Sequence, residues 1–131
     1  MPSTPSQVIA IAVVEHDGCF LIGQRPPGVA LAGLWEFPGG KVEPGESAAA
    51  AAVRECREEA GLAVHVLAEC LVHQELYAHG GVELHFMTCR LGEEVSGDPA
   101  PPFRWVRREE LSSYEFPTGN RPLLALLCGR A

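Results

Sequence analysis

The chain has 131 residues, of which 47% are hydrophobic and 21% charged, the balance of one globular domain able to build its own core. Its 10 basic and 17 acidic side chains leave a formal net charge of −7. That excludes a basic stripe for a nucleic-acid polymer and requires local cations wherever an anionic ligand is held. The five cysteines, Cys19, Cys56, Cys70, Cys89 and Cys128, are odd in number and contain no CxxC pair. They read as small buried hydrophobes in a reducing compartment, not as a zinc ribbon or a redox pair.

The opening MPSTPSQVIA lacks the basic region and long apolar run of a signal peptide, and Val8–Val14 is too short to span a bilayer. A cytoplasmic protein without a membrane partner is expected, as a single domain over residues 1–131 and as a monomer or homodimer. The β-branched run Val8–Val14 suits a strand buried on both faces. Asp17-Gly18 then marks a hairpin into Cys19–Ile22, because both central residues of such a turn take positive φ. A Pro- and Gly-rich loop follows over Pro26–Gly33, and Leu34–Gly40 reads as one short strand ending at a glycine pair. Ser47 is placed to cap a helix over Ala48–Ala60, and Gly61 to stop it. Strands are expected at Ala63–Leu71, Val82–Leu91 and Phe103–Val106, with a loop at Gly92–Pro102. A short helical turn at Arg107–Ser112 and a last helix from about Asn120 complete the chain. This order reads as α+β, a mixed α/β sandwich.

On a wheel of about 100° per residue, Glu55, Glu58 and Glu59 share an arc of about 100°, with Ala49, Val53, Cys56 and Ala60 opposite. Each neighbouring like-charge pair costs the helix about 0.2–0.5 kcal/mol, and anions in the last turn oppose the helix dipole. A hard divalent cation removes that conflict, since Mg²⁺ takes oxygen ligands and commonly shares carboxylates with substrate phosphates. The bland alternative is a solvated acidic face partnered by Arg54 and Arg57.

The spacing around these residues weighs against the bland reading. Five residues separate Gly40 from Glu46, seven separate Glu46 from Arg54, and Glu55-Cys56-Arg57-Glu58-Glu59-Ala60-Gly61-Leu62 follows. This resembles the Nudix box, G-x5-E-x7-R-E-U-x-E-E-x-G-U with U aliphatic, at every fixed position. Cys56 at a U position is the one soft departure and should serve as a packing residue. The resemblance implies the Nudix fold, a mixed β-sheet sandwiched between helices, with the box as a loop–helix–loop metal site. It implies that Glu55, Glu58 and Glu59 coordinate Mg²⁺, with Mn²⁺ as a possible substitute, together with a backbone carbonyl at Gly39 or Gly40. Arg54 would orient a catalytic glutamate by ion pairing, and Glu46 would support the loop. The implied reaction is hydrolysis of a nucleoside diphosphate linked to another group. Glu55 is the first candidate for general base, with Glu58 or Glu59 as alternates.

The stretch Gly33–Glu43 and the segment Glu115–Pro122 are similar to the MutT subfamily, which cleanses the nucleotide pool. That likeness implies a phosphate contact for Arg25 and a substrate role for Lys41, the single lysine of the chain. It implies that Phe37 and Gly39 lie at the pocket and that Asn120 reads the base. An amide offers both donor and acceptor to an oxidised guanine edge. Asn120 also stands where a helix N-cap would, before Arg121-Pro122. A late-loop metal ligand would be Asp98, Glu93 or Glu94. MutT proteins carry charges where this chain has Tyr77-Ala78-His79-Gly80-Gly81. His65, His73, His79 and His85 read as structural. The expected activity is metal-dependent conversion of a (deoxy)nucleoside triphosphate to monophosphate and pyrophosphate, with 8-oxo-dGTP first, as in DNA-repair sanitisation. CTP or dCTP is the alternative. A non-catalytic Nudix nucleotide sensor is the alternative from another class, and such proteins usually lose box glutamates that are all present here.

Overall fold

The computed structural model describes residues 7–77, 80–93 and 97–129. Strands β1 (Gln7–His16) and β2 (Cys19–Gln24) are joined by Asp17 and Gly18, whose φ angles of 51° and 78° are those the sequence requires of the turn. The two strands pair only at Glu15↔Phe20 and His16↔Cys19. Beyond that β2 peels away to pair with β3 (Trp35–Glu36) and β7 (Phe103–Arg107). The edge of β1 thereby released is taken by β4 (Gly39–Lys41). On its other edge β1 runs parallel to β6 (Gly80–Leu91), which pairs antiparallel with β5 (Val64–Tyr77). The described residues thus form one mixed seven-stranded sheet in the order β3-β2-β1-β6-β5, with β4 on β1 and β7 on β2.

Residues Ala10–Val14 of β1 are buried on both faces, as their unbroken apolar run predicts. Ala10, Ala12 and Val14 join one cluster with Ala51, Ala52, Cys56 and Ala60 of helix α1 (Ala48–Ala60). Ile11 and Val13 join the opposite cluster with Phe37, Phe86, Leu111 and Leu123. Leu123 belongs to α2 (Arg121–Leu127), which follows 3₁₀ turns at Arg108–Ser113 and Thr118–Asn120. Helices on both faces of a mixed sheet give the α/β/α sandwich expected from the sequence. Among the described residues, no helix is long and apolar enough to cross a membrane.

Three expectations change. The strand expected over Leu34–Gly40 is two strands, because Pro38 has no N–H for a ladder and the chain changes partner there, from β2 to β1. Strand β5 runs to Tyr77, well past Leu71, with register shifts between Val66 and Ala68 and between Glu69 and Leu71. The added stretch carries His73, Gln74 and Glu75, polar residues that interrupt the apolar run and hide its continuation in the sequence. The packing face of α1 is also rotated: Ala51, Ala52, Cys56 and Ala60 are fully buried, whereas Ala49 and Val53 are half-buried. All five cysteines are free thiols. Cys56 and Cys89 are buried, and Cys19, Cys70 and Cys128 are half-buried.

Helix α1 begins and ends as its local sequence dictates. Ser47 Oγ accepts a hydrogen bond from the Ala50 amide at 3.0 Å. Gly61 takes the left-handed conformation at φ 71° and donates to the Arg57 carbonyl. Replacing Ser47 by Ala is expected to cost about 1 kcal/mol, read as a lower denaturant midpoint at unchanged slope.

Candidate active site

Strand β4 has one edge on β1 and its other edge facing α1. Hydrogen-bonded pairs alternate in an antiparallel ladder. Ala12 N donates to Pro38 O at 2.8 Å and Val42 N to Val8 O at 2.9 Å, which brackets the pair Ala10↔Gly40. The backbone groups of Gly40 therefore face β1, and those of Gly39 and Lys41 face outward. The helix occupies that outer edge at two points. Gly39 N donates to Glu59 Oε1 at 2.9 Å, and Arg54 Nη2 donates to the Lys41 carbonyl at 3.0 Å. The Gly39 carbonyl lies on the same edge, between them. Of the two carbonyls the sequence proposed as a ligand, Gly39 or Gly40, this parity favours Gly39.

Arg54 gathers the box acids. Its Nε and Nη2 bind both oxygens of Glu46 at 2.8 and 3.0 Å, a bidentate pair. Its Nη1 donates to Glu55 Oε2 at 3.2 Å and Glu58 Oε1 at 3.1 Å. The hydrogen bonds from Arg54 and from the Glu43 amide hold Glu46 down at about pKa 2, and Glu46 in turn raises that of Arg54. Glu55 is pushed above the usual carboxylate range by burial, against the pull of Arg54. Burial raises Glu59 to about 7, with repulsion from Glu36 and Glu55 adding to it, against the Gly39 amide and Arg25.

The wheel had placed all three acids opposite the sheet. In fact Glu59 projects only about 20° from Ala52, so it is drawn to the margin of the buried face and meets β4. Gly40 makes room for its neighbour: a methyl group there would overlap the Glu55 carboxylate. Small residues on both surfaces suit this close approach, since Ala10 and Ala12 of β1 share a cluster with the alanines of α1.

Beside β4 a cleft of about 230 Å³ is lined by Ile9, Ile11, Arg25, Glu36, Phe37, Gly39, Gly40, Pro117 and Asn120. Arg25 donates to Glu36 Oε1 at 2.6 Å and to the Ala30 carbonyl at 2.7 Å. Asn120 is 9% exposed, and its Nδ2 makes a long hydrogen bond of 3.4 Å to the Pro117 carbonyl. It occupies the N-cap position of α2, yet its side chain makes no capping hydrogen bond. Residues 9–126 match the NUDIX domain family. The chain belongs to the Nudix family.

Relatives of this Nudix hydrolase include the CTP pyrophosphohydrolase of Escherichia coli K12, 46% identical over 117 residues, which are 88% of this chain and 87% of that one. Nucleoside triphosphatase NudI of Salmonella newport is 30% identical over 92% of this chain and 95% of its own. Among solved structures, the E. coli ORF135 protein superposes with a TM-score of 0.77 at 35% identity, covering 95% of this chain and 91% of that one. The MutT protein of Methanosarcina mazei Go1 gives 0.78 at 23% identity over 97% and 96%, a likeness of fold.

The Nudix fold thus brings Arg25, Phe37, Gly39, Gly40 and Asn120 to one cleft, with Arg54, Glu55, Glu58 and Glu59 behind β4. It does not bring Lys41 there: its side chain is exposed and lines a separate depression with Gln7, Val8, Val42, Glu43 and Pro44. Lys41 is the last residue of β4, so its side chain leaves the sheet at the strand's end, beside Val42 and Glu43. Asp98 and Glu93 are exposed, and Glu94 lies outside the described residues, as does His79. Among the described residues, no three His, Cys, Asp or Glu groups converge as ligands: Glu55 and Glu58 lean on Arg54, and Glu59 leans on Gly39. His85 is held between Glu69 and Glu83, and His73 beside Glu75. Glu36 went unread in the sequence, although a lone acid between Trp35 and Phe37 was a signal that something cationic lay near.

Two measurements test this geometry. Gly40→Ala should leave the fold intact while displacing the flexible Glu55 carboxylate, so turnover falls although the melting temperature changes little. A loss of fold instead would mean that Glu55 cannot move aside. For Glu59, a folded pKa of about 7 lies above the ordinary 4.5, so its burial costs no stability below 4.5, a growing amount as pH rises from there to about 7, and a constant amount above that. In EDTA, Glu59→Gln should therefore gain stability over the parent protein between pH 4.5 and 8. A gap that does not change with pH would contradict the buried-acid reading.

Proposed function

We propose that this Nudix hydrolase cleaves nucleoside triphosphates to monophosphate and pyrophosphate, with cytidine triphosphates as first substrate. The observation that carries the reading is that Gly39, whose amide is held by Glu59 from behind β4, lines the same cleft as Asn120. Acidic groups stand where a polyphosphate would lie and an uncharged amide where a base would lie. The 46% identical relative named a CTP pyrophosphohydrolase supports cytidine. Oxidised guanine is the second reading, supported by an Asn120 amide that is buried, does not cap its helix and has both a donor and an acceptor.

The donor set fits a hard dication: every group is an oxygen, and Gly40 leaves space beside Glu55 that a side chain would fill. Glu55, Glu58, Glu59 and the Gly39 carbonyl would hold Mg²⁺ or Mn²⁺. When bound, such an ion neutralises phosphate charge and lowers the pKa of water. Glu58, 59% exposed, is free to rotate from Arg54 into that set. Arg54 keeps its bidentate hold on Glu46 and so continues to orient Glu55. Glu55 accepts the proton of the attacking water, with Glu58 and Glu59 as alternates. Arg25, steadied by Glu36, contacts phosphate, and Phe37 forms the apolar floor of the cleft. Lys41, on a separate depression, is given no role by its position.

Pyrophosphate release should be followed for CTP, dCTP, 8-oxo-dGTP and dGTP in Mg²⁺ and in EDTA. Metal-dependent turnover with the highest kcat/KM on CTP or dCTP is expected; a higher value on 8-oxo-dGTP would select the second reading, and no turnover on any would favour a sensor. Glu55→Gln should lower kcat by about 10²-fold or more, the usual worth of a general base. Glu58→Gln should remove most of the activity and keep the fold, because it relieves repulsion while removing a ligand.

A further inference from the structure

The segment Glu115–Asn120 forms one wall of the cleft and is tied down at both ends. Toward β3, Trp35 N donates to the Glu115 carbonyl at 2.8 Å, and Phe116 stacks on Phe37 with centroids 5.4 Å apart and planes 20° apart. Toward β5, Thr118 Oγ1 donates to Glu75 Oε2 at 3.3 Å. The other Glu75 oxygen, Oε1, is 2.8 Å from His73 Nε2, and both side chains are about three-quarters shielded from solvent. Gly119 lies against β6, where an added Cβ would meet Leu84 Cδ1 at 2.9 Å. His73 and Leu84 are register partners on β5 and β6, so the turn Thr118–Asn120 rests on one continuous patch of sheet. It is seated by close packing at Gly119 and by a hydrogen bond at Thr118. Asn120 is the next residue, and its amide does not cap α2.

We infer that Glu75, through Thr118, is a positioning residue that fixes where the Asn120 amide stands in the cleft. His73 restricts the Glu75 carboxylate to the rotamer that meets Thr118. The pair therefore sets affinity for the base and discrimination between bases, and leaves the phosphate chemistry around Glu55 and Arg54 alone. This rests on the reading of Asn120 as the base contact, and the test separates the two.

The variants are Thr118→Val, which keeps shape and removes the donor, Glu75→Ala, Glu75→Gln, Asn120→Ala, and Asn120→Ala combined with Thr118→Val. For each, kcat and KM are measured on CTP and 8-oxo-dGTP, binding of CMP and 8-oxo-dGMP is measured by calorimetry, and the melting temperature is recorded. Thr118→Val and Glu75→Ala should raise KM and weaken monophosphate binding about three- to tenfold, the worth of one hydrogen bond, with kcat within about twofold. Glu75→Gln, whose carbonyl still accepts from Thr118, should keep near-parental values. In the Asn120→Ala background, Thr118→Val should add no further loss, because the two act as one unit. Additive losses, or equal falls in kcat for both nucleotides, would overturn the inference. So would silent Thr118 and Glu75 variants beside a damaging Asn120→Ala, and that result would leave the base contact standing. An Asn120→Ala protein with unchanged affinity and base preference would remove the base contact itself and the inference with it.

Discussion

The site depends on how close helix α1 can come to the outer edge of β4. A three-residue strand cannot hold a helix by apolar contact of its own, and Gly39 and Gly40 bring no side chains to the contact. The attachment is polar: Glu59 takes the Gly39 amide and Arg54 takes the Lys41 carbonyl. Both bonds need a short helix-to-sheet distance, and alanines on the two facing surfaces permit it. Burial at this contact is what lifts the Glu59 pKa, so the feature that positions the carboxylate also makes its charge costly. A bare acid there is poorly solvated by the protein and well matched to a small, hard cation.

Arg54 has a second part in this balance. It satisfies Glu46 with both oxygens and still reaches Glu55 and Glu58 with one nitrogen. The planar fork of guanidinium makes that division possible, where a lysine would present one point charge. The bidentate side is the fixed side, because it coincides with the lowered Glu46 pKa and the loop amide of Glu43. The single nitrogen shared by Glu55 and Glu58 is the exchangeable side. A helix turn crowded with like charges therefore folds with an internal counter-ion at hand.

Much of this was legible in the sequence, and the reason is locality. The Asp17-Gly18 turn, the Ser47 cap, the Gly61 stop and the box spacing are all decided within a few residues of chain. Features set by partners distant in sequence were not legible. The break at Pro38 follows from β2 leaving β1, which nothing near Pro38 announces. The choice between Gly39 and Gly40 is a matter of ladder parity, fixed by register with β1. The wheel misjudged Glu59 because the sheet takes the arc around Ala52 and Cys56, and three alanines in that region give hydropathy little contrast. The ion pair of Arg25 with Glu36 joins strand and loop residues that only the folded sheet brings together.

Strand β5 closes the sheet at one end, fourteen residues long and with Leu67, Val72 and Leu76 exposed. A flat strand of that length would offer its free amides and carbonyls as a template for chain-to-chain ladders. The two register irregularities at Val66/Ala68 and Glu69/Leu71 twist it out of that regularity. Bulges of this kind are the backbone device by which an exposed terminal strand is kept from laddering onto another chain.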